Sequence, residues 1–196
     1  MTEKALTKDV ILDVAEKELI NYGWSRTTLV SIAKSLDVSH AALYSYFRSK
    51  GALRDAILER WLLKYSDKLD VITKQEGSAE ELLYEWFFCL FQLKKKELIE
   101  NEEVFALNTS LIEKYNPVIQ NHEESLLNQL EIIINNGIKN KEIINQDSFL
   151  LAKSIFKLMS CFYHPAFSKQ WREKDIDNEF NTSWKILSRG LFHSTT

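Results

Sequence analysis

Residues 27–50 read TTLVSIAKSLDVSHAALYSYFRSK, and this run decides the fold. It divides into two short helical segments about a tight joint. Thr27 or Thr28 is placed to cap the first helix, its hydroxyl accepting a backbone N–H that the first turn leaves free. Ile32, Ala33 and Leu36 share one helical face. The small Ala33 lets a second helix cross closely. Asp37 stands where the chain must turn, and Asp tolerates left-handed backbone better than most residues. Val38 closes the joint, and Ser39 is placed to cap the second helix. Ala42, Leu43 and Phe47 then turn inward. His40, Ala41, Tyr44 and Tyr46 are left near the outer face, with Arg48 and Lys50 at the end. This is the layout of a helix-turn-helix, which offers one helix to a DNA major groove about 12 Å wide.

The segments on either side are also helical in pattern. Thr7 is placed to cap a helix over about residues 8–22, with Val10, Ile11, Val14 and Leu19 inward and Gly23 as its stop. A long fourth helix follows over residues 50–72, and Gln75-Glu76-Gly77-Ser78 is the clearest break in the chain. Beyond it, helices are expected over residues 79–95, 97–114, 117–136, 147–163 and 175–191, with Pro117 at a helix start and His164-Pro165 as an interruption.

Composition agrees. Only 5 Gly and 2 Pro occur among 196 residues, and 45% are hydrophobic, which favours long helices in a globular chain over a sheet or a disordered polymer. The net charge of −3 is uneven: residues 1–70 carry +1 and the remainder −4. Only local charge acts within a Debye length of about 8 Å, so Lys34, Arg48, Lys50 and Arg54 form a modest basic face at the motif. Cys89 and Cys161 stand far apart in apolar surroundings and read as reduced core thiols, a redox switch being the alternative. The N-terminus lacks an apolar signal core, and no run approaches the roughly 20 apolar residues that span a bilayer. A cytoplasmic protein without membrane contact is expected. No glycine-rich phosphate loop, HExxH or serine elbow is present, so no catalytic residue, metal site or cofactor is expected.

Together Val14-Ala15, Tyr22-Gly23-Trp24, Thr27-Thr28, Ile32-Ala33, Val38-Ser39, Leu43-Tyr44, Tyr46-Phe47, Ser49-Lys50 and Leu53 form an ordered pattern. Over about residues 8–65 the chain resembles the TetR family of bacterial transcriptional regulators. The family usually has glycine at the turn, where this chain has Asp37.

The resemblance implies an all-α protein with an N-terminal three-helix helix-turn-helix domain (residues 1–50) and a linking helix (50–73). A helical ligand-binding and dimerisation domain would occupy residues 74–196. It implies a regulator, most simply a repressor, that binds a palindromic double-stranded operator as a homodimer and is released by a small molecule. An activator, a corepressor-dependent regulator, and a ligand-sequestering module with a vestigial reader are the alternatives. Thr27 or Thr28, Tyr44 and Lys50 are expected at phosphates. Ser39, His40 and Ala41 are expected at base edges, with Tyr46 at either. Phe149, Ile155, Phe180, Trp184, Leu187 and Leu191 are expected at a dimer interface. Trp86, Phe87, Phe91, Phe105, Tyr115, Phe156, Met159 and Phe162 have two open readings: the lining of a ligand cavity, or filled core at helical spacing.

Overall fold

The computed structural model describes residues 5–112 and 117–192, in which nine α-helices account for almost all regular structure. They are α1 (Lys8–Arg26), α2 (Leu29–Ser35), α3 (His40–Tyr46), α4 (Lys50–Thr73), α5 (Ala79–Glu100), α6 (Glu102–Ile112), α7 (Pro117–Lys139), α8 (Ser148–Leu158) and α9 (Ile176–Leu191). The stretch expected as one helix over 147–163 instead ends at Leu158. Two 3-10 segments, Ser160–Phe162 and Pro165–Arg172, carry the chain on to α9. Tyr115 lies outside the described residues.

The helix starts are written locally. Thr7, Thr28, Ser39, Ser49, Ser78 and Asp147 each accept a backbone N–H of the turn that follows. Such a cap is worth about 1 kcal/mol. Gly23 breaks α1 as expected, at φ 71° and ψ 171°, and one more turn follows before Thr27. The buried stripe of α1 is Ile11, Leu12, Ala15, Glu18 and Leu19, one step round from the expected one. Asp37 adopts φ 54°, the left-handed turn expected of it.

Helix α4 joins the molecule. Leu53, Ala56 and Ile57 at its start pack into one core with Ile11, Leu19, Ile32, Leu43 and Phe47. Leu69 and Ile72 at its far end belong to a second, larger core built by α5, α7, α8 and α9. Between them Leu58, Trp61, Leu62 and Tyr65 form a small cluster against Leu93, Val118 and Ile119. Gly137 permits the close approach of α7 to the start of α5: a Cβ there would lie 2.6 Å from that of Ala79.

Candidate DNA interface and interhelical cavity

The helix pair is held rigidly from behind. Glu18, almost fully buried on α1, accepts hydrogen bonds from Ser31 (2.6 Å) and Ser35 (2.7 Å) on α2. Thr28 and Ser31 form a reciprocal capping box at the start of α2. Backbone bonds from Asp37 N to Lys34 O and from Val38 N to Ala33 O close the joint. Helix α3 is thereby presented with Leu43 inside and Ser39, His40, Ala41 and Tyr44 outside. His40 meets Tyr44 edge-on at 4.6 Å. Ser39 accepts the Ala42 N–H.

Three expected phosphate or base contacts are already engaged elsewhere. Thr27 is fully buried, and its hydroxyl donates to the Gly23 carbonyl at 3.0 Å, so it finishes α1 and cannot reach a phosphate. Thr28 is the one of the pair left half-exposed. Tyr46 is exposed, but its hydroxyl donates to the Leu6 carbonyl at 2.6 Å and ties the N-terminal segment to α3. Lys50 is half-buried, donates to the Trp24 and Ser25 carbonyls, and lies over the Trp24 ring. A cation suits these carbonyls at the end of α1. Of three ammonium N–H bonds, two are thus engaged. Lys34 and Arg48 are exposed cations on the same unit.

In the second body the expected aromatics divide unequally. Trp86, Phe87, Phe91, Phe105, Met159 and Phe162 are buried in the large core. They fill it by meeting one another: Phe91 stacks on Phe180 at 5.4 Å, Phe162 meets Phe91 edge-on, and Phe105 meets Trp171 edge-on. These rings are thus matched chiefly to one another. Phe105 also borders a hollow of about 470 Å³ beside α6, and Phe156 borders a cavity of about 330 Å³, within the range of small-molecule sites. The cavity lies where α4, α5, α7 and α8 converge, walled by Leu62, Leu90, Ile119, Leu126 and Phe156. Ser160, Tyr163 and Pro165 complete its sides, and the exposed Glu123, Lys157 and His164 edge it.

Two polar side chains form the inner end: Lys94, and His122, which beside Glu123 and Glu124 in sequence reads as a surface polar run but is turned inward. Lys94 is only 6% exposed, its ammonium 3.7 Å from the centre of the Tyr65 ring and 4.6 Å from that of Trp61. Burial lowers its pKa to about 8, against the opposing pull of Glu97. Glu97 itself accepts hydrogen bonds from Trp61 Nε1 and the Tyr65 hydroxyl. His122 faces Lys94 from α7, and its Nδ1 is 3.0 Å from Ser66 Oγ on α4. Burial and Lys94 lower the His122 pKa to about 4, so it is neutral at pH 7. The signal was there to be read: Lys94 falls on the stripe Leu83, Phe87, Leu90, Leu98, and His122 falls between Ile119 and Leu126.

The residues expected at a dimer contact differ in burial within the single chain. Ile155, Phe180, Trp184 and Leu191 are buried within the chain's own core, and Leu187 is half-buried. Of the six, Phe149 is exposed. The apolar side chains that α8 and α9 leave to solvent are Phe149, Leu150, Leu158 and Ile186.

A helix-turn-helix unit with an outward second helix, joined by one continuous helix to a larger helical body, defines a DNA-binding transcriptional regulator. Residues 11–57 match the family described as bacterial regulatory proteins, tetR family, and residues 79–184 match the tetracyclin repressor-like C-terminal domain. The chain belongs to the TetR family of transcriptional regulators. In sequence it is similar to the uncharacterized HTH-type transcriptional regulator YhgD of Bacillus subtilis, at 27% identity over 77% of this chain and 79% of that protein. The probable HTH-type transcriptional regulator YttP of the same organism is 27% identical over 86% of this chain and 81% of its own length. In fold it is similar to FadR of Bacillus subtilis, solved with stearoyl-CoA, at TM-score 0.68 and 19% identity over 94% of this chain and 99% of that one. SmeT, the repressor of a Stenotrophomonas maltophilia multidrug efflux pump, gives TM-score 0.69 and 17% identity over 98% of this chain and 94% of its own.

Proposed function

We propose that the protein is a ligand-responsive repressor that binds a palindromic operator as a homodimer and leaves it when a small molecule occupies the cavity. One observation carries this reading: α4 is a single helix whose first turns belong to the reader's core and whose middle forms a cavity wall. Leu53 and Ile57 pack against the reader. Leu62 lines the cavity, and Trp61, Tyr65 and Ser66 on the same helix bind Glu97 and His122. An occupant that shifts these partners therefore shifts the reader. It releases DNA to the extent that it binds the released state more tightly.

In this reading Ser39, His40 and Ala41 meet base edges, and Thr28, Tyr44, Lys34 and Arg48 meet phosphates. Lys50 and Tyr46 hold the reader's shape. Domains meet within α4. The exposed apolar residues of α8 and α9 pair with a second copy, setting two readers on half-sites about 34–36 Å apart or a multiple of that. The structural relatives with a bound acyl-CoA and an efflux-pump repressor role support the scheme by analogy. The protein works where its DNA lies, in the cytoplasm, and no helix among the described residues is long and apolar enough to cross a membrane.

The test is a binding titration of the purified protein on the DNA flanking its own gene, with sedimentation of the complex. A sequence-specific complex of two chains per palindrome supports the reading. A complex that tightens with effector assigns corepression instead, and binding that ignores sequence rejects it.

A further inference from the structure

The cavity's chemistry says what kind of molecule fits it, granted that it is the effector site. Its middle is walled by Leu62, Leu90, Ile119, Leu126 and Phe156, its outer edge is polar, and its inner end carries Lys94 and His122. There Lys94 sits almost fully buried, and among the described residues no hydrogen bond or ion pair reaches its ammonium. Glu97, the nearest anion on α5, has turned its carboxylate to Trp61 and Tyr65. The ammonium opens on the cavity, where no protein acceptor among the described residues meets it. It is held here by the faces of two aromatic rings.

We propose that the cavity binds a small monocarboxylate with an apolar body, its carboxylate hydrogen-bonded to Lys94 and its body against Leu90, Leu126 and Phe156. A cationic ligand meets like charge in a desolvated site. A neutral one offers the ammonium no opposite charge. The remaining groups around Lys94 do not alter this balance. Tyr65 on α4 and Tyr163 beyond α8 stay protonated, burial raising both. His122 on α7 is neutral. The opposite charges of Glu123 and Lys157, with His164 beside them, sit at the solvent edge. Because Trp61 and Tyr65 are α4 residues, a carboxylate that draws Lys94 off their rings alters what holds that helix.

The experiment is calorimetric titration of the full chain, without DNA, with octanoate, 1-octanol and octylamine, which differ only in the head group. A second carboxylate, 4-phenylbutyrate, changes the body. Wild type is compared with Lys94→Met, Lys94→Gln and the surface control Lys139→Met, each checked by thermal unfolding. Saturable binding of one carboxylate per chain is expected, at least about 10-fold tighter than 1-octanol, with octylamine weakest. Lys94→Met and Lys94→Gln weaken carboxylate binding at least about 10-fold and leave 1-octanol unchanged. Lys139→Met changes nothing. At pH 8.5, heats measured in buffers of different ionisation enthalpy show net proton uptake, because the bound carboxylate keeps Lys94 charged. Failure of both carboxylates to bind, tighter binding of the alcohol or amine, or indifference to the Lys94 variants overturns the proposal. Because no DNA is present, these results stand apart from the repressor reading. Carboxylate binding that leaves a specific DNA complex untouched counts against ligand-induced release, and a specific complex with no carboxylate binding counts only against this ligand class.

Discussion

Ser66 Oγ on α4 and His122 Nδ1 on α7 lie 3.0 Å apart, and this contact joins the helix shared with the reader to the wall of the cavity. Burial and the neighbouring Lys94 keep this imidazole neutral. The contact predicts how the protein responds to acid.

His122 has a folded pKa of about 4, below its ordinary 6.5. As pH falls below 6.5 the unfolded chain takes up a proton that the folded one refuses, so stability is lost between about pH 6.5 and 4 and the loss is complete below that window. His122 should account for about 1–3 kcal/mol of acid destabilisation. Thermal unfolding at pH 7 and pH 4.5 checks this. The His122→Gln protein should show a smaller drop than wild type, and an equal drop would assign the acid sensitivity elsewhere.

A methyl group at position 137 would sit 2.6 Å from the Ala79 Cβ and 2.8 Å from Ile143 Cδ1. The Ile143 side chain can turn aside, whereas the Cβ of Ala79 is fixed to its helix. Gly137→Ala should therefore cost about 1–3 kcal/mol through overpacking, measured by denaturant unfolding.

Glu18→Ala removes the acceptor shared by Ser31 and Ser35. Ser31 retains the Thr28 carbonyl as an alternative, so the cost should be modest, about 1–2 kcal/mol in unfolding experiments. Glu18→Gln, which keeps the shape and one carbonyl acceptor, should lose less.

Leu150→Glu and Ile186→Glu place charges on side chains already exposed in the single chain. Neither should unfold the protein. Sedimentation should show both variants dissociating at concentrations where wild type is paired, because a carboxylate buried at a two-fold contact faces its own copy.

The features legible in the sequence share one property: their cause is local. The caps at Thr28 and Ser39, the left-handed Asp37 and the break at Gly23 depend on neighbours within a few residues. The side chain of Tyr46 was placed on the right face, but its bond to Leu6 spans 40 residues, which no local pattern reveals. The same holds for Lys50 and the end of α1. The cavity was hidden for a different reason. Helical periodicity tells which side of α5 faces inward, yet Trp86, Phe91 and Phe162 all face inward and fill the space with one another. Where volume stays empty depends on how α4, α5, α7 and α8 converge. Phe180 and Trp184 carry the same ambiguity: an apolar stripe on α9 does not say whether the chain's own core or a second copy covers it, and in the single chain both are buried.

The most direct test of the account is a fluorescence-anisotropy titration of DNA flanking the protein's own gene against scrambled DNA, over a range of salt. Wild type should prefer the native fragment, His40→Ala should lose that preference, and Arg48→Ala should weaken both fragments alike while lowering the salt slope by about 1. Equal binding of the two fragments by wild type, or an unchanged preference in His40→Ala, would contradict the placement of α3 against the bases.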